Sequence, residues 1–141
     1  MIKVESKVTK NACQDEQLYN FVSDFRNLAT LFPPEYRDKV TFSEHSISVE
    51  AMKGMNVTFS ILEQEPYKLI KLGVETTRDF CIWIQLKQVA AYDTRIRITM
   101  HAEIPKVAGL FAKKKLQTFV DAFADALAQI PVYTFQAHNL N

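Results

Sequence analysis

The stretch VAGLFAKKKLQTFVDAFADALAQI, residues 107–130, decides the fold. Leu116, Phe119, Val120, Phe123, Leu127 and Ile130 recur at the spacing that lines one face of an α-helix. Lys114, Thr118, Asp121, Asp125 and Gln129 fall on the other face. Pro105 stands before this helix and Pro131 ends it, because proline has no N–H to extend the ladder and drives the preceding residue out of helical geometry. One long amphipathic helix must therefore bury a broad apolar side. Nearly everything upstream reads as β-strand, so that side packs on a sheet.

Residues 2–10 place Ile2, Val4 and Val8 on one parity and Lys3, Glu5 and Lys7 on the other, as in a half-buried strand. Asn11 and Gln14 then form a capping-box-like pair ahead of Leu18, Phe21, Val22, Phe25 and Leu28, which follow helical spacing with Asp15 and Glu16 in the first turn. The spacing predicts a short helical segment broken near Asp24 and ended by Pro33-Pro34. From Lys39 the period is two almost to Pro105. Strands are expected at Val40–Phe42, Ile47–Ala51, Val57–Ile61, Ile70–Val74, Phe80–Leu86 and Ile96–Ile104, with turns at Lys53-Gly54, Pro66 and Ala91-Tyr92-Asp93. Short links favour antiparallel pairing. The result is an α+β domain over residues 1–131, seven antiparallel strands and a long closing helix, with a tail at 132–141.

Composition narrows the function classes. The 141 residues carry a net charge of +1, which gives no global basic footprint for nucleic acid or an anionic membrane. The N-terminal alternation is unlike a signal peptide, and no window approaches a membrane span, so a cytoplasmic protein without stable membrane insertion is expected. Cys13 and Cys81 are too isolated for a disulfide framework or a zinc site and read as buried thiols. Three glycines in the whole chain provide no phosphate-cradling loop, and no cofactor is expected.

The order strand, helical segment, antiparallel strands, long helix resembles the START-like (SRPBCC) superfamily, whose fold is the helix-grip. Leu18 to Leu28, ending at Pro33, is similar to the superfamily's second element, with an aromatic and an aliphatic before the Ser23-Asp24 pair. Pro105 through Leu116 is similar to the start of its last helix. The resemblance spans residues 1–130. It implies a seven-stranded sheet wrapped on the closing helix, and a function among lipid or steroid carriers, polyketide cyclases and protein-binding modules. Fold likeness does not choose between them.

On the long helix the inward stripe is small at its start, Gly109 and Ala112, and bulky further on, from Leu116 through Phe119, Phe123 and Leu127. Small residues leave space against a sheet and bulky ones fill it, so a tapered cavity closed at one end is expected. Its strand walls would be Val57, Phe59, Ile61, Ile70, Leu72 and Val74, with Phe80, Ile82, Ile84, Ile98 and Met100. A filled core would show the same stripes. Lys113, at the edge of the helix stripe, could reach an anionic head group at the mouth or lie solvated over apolar surface. The ligand expected is a small hydrophobic molecule, lipid or polyketide-like.

Catalysis would need an ionisable side chain aimed at that ligand. Arg95, Arg97, His101 and Glu103 share the outward parity, His45 and His138 lack companions of metal-ligand type, and Tyr19 and Tyr36 offer at most a hydroxyl at the rim. The expectation leans away from an enzyme, with a cyclase- or dehydratase-like catalyst as the alternative. Trp83, outward beside Arg95, Arg97 and His101, and the apolar tail residues Val132, Tyr133 and Phe135 offer surfaces for a second copy or a protein partner.

Overall fold

The computed structural model describes the backbone at residues 1–52, 55–74, 77–103 and 109–139, and side chains at 1–50, 56–74, 80–103 and 113–135. Strands β1 (Ile2–Glu5) and β2 (Thr9–Asn11) lead into helix α1 (Asp15–Val22) and two short 3-10 turns, Phe25–Leu28 and Pro34–Tyr36. Strands β3 (Val40–Phe42), β4 (Ser46–Met52), β5 (Met55–Glu65), β6 (Leu69–Val74), β7 (Thr77–Ala90) and β8 (Asp93–Ala102) follow, then helices α2 (Gly109–Ala128) and α3 (Val132–Asn139). The turn expected at Lys53-Gly54, the strand end at Ile104 and the helix start at Val107 lie outside the described residues.

All pairings are antiparallel, in the order β1-β8-β7-β6-β5-β4-β3, with β2 also on β8. β1 and β2 are thus one interrupted strand, and the sheet has the seven expected. The interruption has a local cause. Ser6 N donates to Ile98 O (2.7 Å) and the Ser6 hydroxyl accepts from Ile98 N (2.9 Å), so a side-chain oxygen replaces a backbone partner and the register shifts by one residue. A one-residue shift exchanges faces. Val8, expected to be inward with Val4, is therefore 49% exposed, and Thr9 and Asn11 turn toward α2.

That exchange also reassigns Asn11. The capping box of α1 is built from Gln14 and Gln17, with Gln14 N donating to Gln17 Oε1 at 3.0 Å. Asn11 instead donates from Nδ2 to Leu127 O and Ile130 O, both at 3.0 Å, closing the C-terminal end of α2. Along the same seam the Thr9 hydroxyl donates to Ala124 O, Lys7 N to the Asp121 carboxylate and Gln117 Nε2 to Glu5 O. Helix α2 is stitched along the edge strand and runs from the Ile2–Ala102 end of the sheet toward the β2 end.

Pro131 both ends α2 and begins α3, whose Thr134 N donates to Pro131 O. The tail is therefore a helix. It is held by α1, with Phe135 buried and its ring 5.7 Å from Phe21, edge to face. The break in the first helical segment falls at Asp24, whose carboxylate accepts from Arg26 N and starts the 3-10 turn.

Candidate functional site

The inward side chains of β4 to β8 are apolar at Ile47, Val49, Val57, Phe59, Ile61, Ile70, Leu72 and Val74, and again at Phe80, Ile82, Ile84, Leu86, Ile96, Ile98, Met100 and Ala102. Their burial is graded along the axis of α2. Leu72, Ile82, Ile84, Ile98 and Met100 are closed off opposite Phe119, Phe123 and Leu127. Nearer the start of α2, Val49, Val57, Val74, Phe80 and Leu116 are only half-buried, although they face inward, as is Ile61 in the row of Leu72, Ile82 and Met100. Ile47, Phe59 and Ala102 are buried at this end. Lys113 is exposed. The backbone of Gly109 and Ala112 lies in the first turn of α2, and their side chains are outside the described residues.

The β3 side of the interior is covered by an aromatic cluster whose hub lies in the Leu31-Phe32-Pro33-Pro34-Glu35-Tyr36 turn. The Phe32 ring lies 5.2 Å from Phe123, 5.3 Å from Phe42, 5.9 Å from Tyr36 and 6.0 Å from Phe119. Such offset and edge-on contacts bring about 0.5–1.5 kcal/mol each beyond area burial. Sequence reasoning took the two prolines only as a helix terminator, named Tyr36 for a hydroxyl at the rim and missed Phe32. That turn bridges the gap between the free sheet edge, β3, and α2. Tyr36 is half-buried at its lip, and burial, aided by Glu35, pushes its phenol pKa up. Tyr19 lies at the other end of the sheet, where its hydroxyl pairs with Gln64 and its ring meets Tyr67 edge-on at 5.8 Å.

A second concavity of about 440 Å³ lies outside the sheet–helix interior, between Leu31, Phe32 and Pro33 and the outer face of α2 from Thr118 to Gln129. Its two carboxylates are engaged: Asp125 pairs with Lys7 Nζ at 3.0 Å, and Asp121 accepts from Lys7 N and Gln117.

The outer sheet face carries Trp83 as expected, 4.5 Å from the His101 ring and with Lys71 Nζ 5.4 Å from its centroid. Burial and then the Lys3 charge hold the His101 pKa below its ordinary 6.5, against a weaker opposing pull from Glu5. Folding thus disfavours the imidazolium, and this group's contribution to stability is full above pH 6.5 and is lost as the pH falls through the lower folded value. Trp83 is the one tryptophan of the chain. Its fluorescence is expected to titrate with a midpoint below 6.5, and His101→Gln to abolish the titration. A midpoint at or above 6.5 would refute the desolvated stack.

Both thiols are buried, and burial pushes the Cys13 pKa up to about 11 against a hydrogen bond from Thr94. Among the described residues no group of three His, Cys, Asp or Glu side chains is placed to hold a metal, and no helix is long and apolar enough to cross a membrane.

No family model and no curated protein sequence matches the chain. Solved structures do. A START superfamily protein from Mycobacterium smegmatis superposes with a TM-score of 0.62 at 15% identity, over 99% of each chain. The fold is START-like. A TM-score of 0.67 at 17% identity relates 91% of this START-like chain to 45% of the di-domain ARO/CYC BexL of the BE-7585A biosynthetic pathway. The Aha1 dimer protein of Colwellia psychrerythraea gives 0.56 at 17% identity, over 92% of this chain and 98% of that one. At such identities the likeness is one of fold, and the START-like architecture is the helix-grip of sheet around α2.

Proposed function

We propose that this protein holds a small hydrophobic molecule, lipid or polyketide-like, between the sheet and the first half of α2, in the cytoplasm and without chemistry on the ligand. The observation that carries this reading is the half-buried apolar set at the open end, Val49, Val57, Val74, Phe80 and Leu116, on a face whose inward positions from β4 to β8 hold no ionisable side chain among the described residues. Inward apolar side chains left partly uncovered are unfinished burial, and a ligand of matching polarity completes it at roughly 25 cal/mol per Å². The START superfamily and ARO/CYC likenesses support the reading at the level of fold. Exposed Lys113 stands beside this end for an anionic head group.

Native followed by denaturing mass spectrometry tests it. A near-stoichiometric apolar compound is expected on the purified protein, and Leu116→Trp, which puts an indole into the open end, is expected to displace it while leaving the unfolding midpoint within about 1 kcal/mol of wild type. An empty wild-type protein that also takes up no 1-anilinonaphthalene-8-sulfonate overturns the proposal.

A further inference from the structure

We infer that Tyr36 is a ligand-contacting, specificity-determining residue whose hydroxyl donates a hydrogen bond to a neutral oxygen, such as a carbonyl, on the molecule held between sheet and α2. The inference rests on the carrier reading above and deepens it. A census of polar side chains around the interior singles out this one. Ser6 bonds Ile98 N and Lys7 O, Thr9 bonds Ala124 O, Asn11 bonds the end of α2, Thr94 bonds Cys13 O and Tyr19 pairs with Gln64. The Tyr36 hydroxyl has no hydrogen-bond partner among the described residues.

The phenol is nevertheless held in place. Tyr36 N donates to Pro33 O and Tyr36 O accepts from Lys39 N, both at 3.0 Å, so the Pro34–Tyr36 turn is fixed on each side. The ring is wedged against Phe32 at 5.9 Å and Phe119 at 6.0 Å. It stands where the turn spans from β3 to α2, at the lip of the end that carries half-buried Phe42, Val49 and Leu116. A donor on a ring already held in place, partly desolvated and without a partner among the described residues, loses little freedom when an acceptor arrives. An un-ionised phenol can donate to a neutral carbonyl oxygen, and the burial that raises its pKa keeps it un-ionised at neutral pH.

The test uses two probes of one shape, 2-acetylnaphthalene and 2-isopropenylnaphthalene, which differ in a carbonyl oxygen against a methylene. Their dissociation constants are measured by calorimetry on wild type and on Tyr36→Phe, which keeps the ring and its packing. The variant is expected to weaken the ketone about two- to tenfold, the worth of one net hydrogen bond, and to leave the alkene unchanged. If both probes bind wild type and the variant shifts neither, or shifts both equally, Tyr36 is a packing residue and the inference is overturned while the carrier reading stands. If neither probe binds wild type, the carrier reading falls and this inference falls with it.

Discussion

Phe123→Ala is expected to destabilise the protein by about 3–5 kcal/mol, the range for deleting a fully buried phenylalanine whose surroundings cannot collapse. Phe123 has no exposed surface and touches Phe32 and Phe119 at ring separations of 5.2 and 6.0 Å, so its removal leaves a void bounded by other rings. Those rings are anchored separately, Phe32 in the proline-rich turn and Phe119 one turn away on α2, and neither can slide in without leaving its own contacts. Urea unfolding reads the effect as a lowered midpoint at unchanged slope. Leu116→Ala, two turns toward the open end, serves as the comparison and should lose under about 1.5 kcal/mol, since a half-buried side chain facing open space forfeits fewer contacts. Equal losses at the two positions would show a uniformly filled core and remove the taper on which the proposed function depends.

What the sequence made legible follows its periodicities. The stripe from Leu116 to Leu127 and the alternation of Phe80 to Leu86 and Ile96 to Met100 are local signals, and each points to the face it occupies in the structure. The readings that moved are those decided by single non-local contacts. Val8 left the interior because the Ser6 hydroxyl stands in for a backbone partner and shifts the register, an event that no alternation of apolar residues reports. A second shift, between Ile61 and Glu63, likewise goes unreported by the alternation and puts Gln64 in the Ile70 row, where it meets Tyr19. The tail proved helical because Pro131 can open a helix as well as stop one, and only the proximity of Phe21 shows where its Phe135 goes. Of the candidate site, the strand walls were readable as a parity. Of the turn beside it only the Tyr36 hydroxyl at the rim was read; Phe32 was not, since it obeys no period and gains meaning only once β3 and α2 are brought to either side of it.

The second large effect is expected at Asn11. One amide nitrogen serves Leu127 O and Ile130 O at 3.0 Å, with Ala128 O at 3.3 Å, at a helix end where the last carbonyls have no intrahelical donor. Asn11→Ala strands these acceptors beneath a side chain only 4% exposed, and each unsatisfied buried group costs about 1–3 kcal/mol, so a loss of about 2–4 kcal/mol is expected. Asn11→Asp should be worse at neutral pH despite its near-identical shape. A carboxylate offers lone pairs where a donor is needed, and its charge faces the negative end of the α2 dipole. Both effects raise the folded pKa of such an aspartate above its unfolded value of about 3.9. The folded state then binds the extra proton, so the stability of this variant relative to wild type should recover as the pH falls through that raised value. Urea midpoints measured from pH 7 downward separate the two substitutions: the alanine deficit stays level and the aspartate deficit shrinks. An aspartate variant as stable as wild type at pH 7 would mean that the end of α2 is held by its apolar face alone. The closed end of the cavity would then not depend on the strand break at Ser6 that delivers Asn11 to the helix.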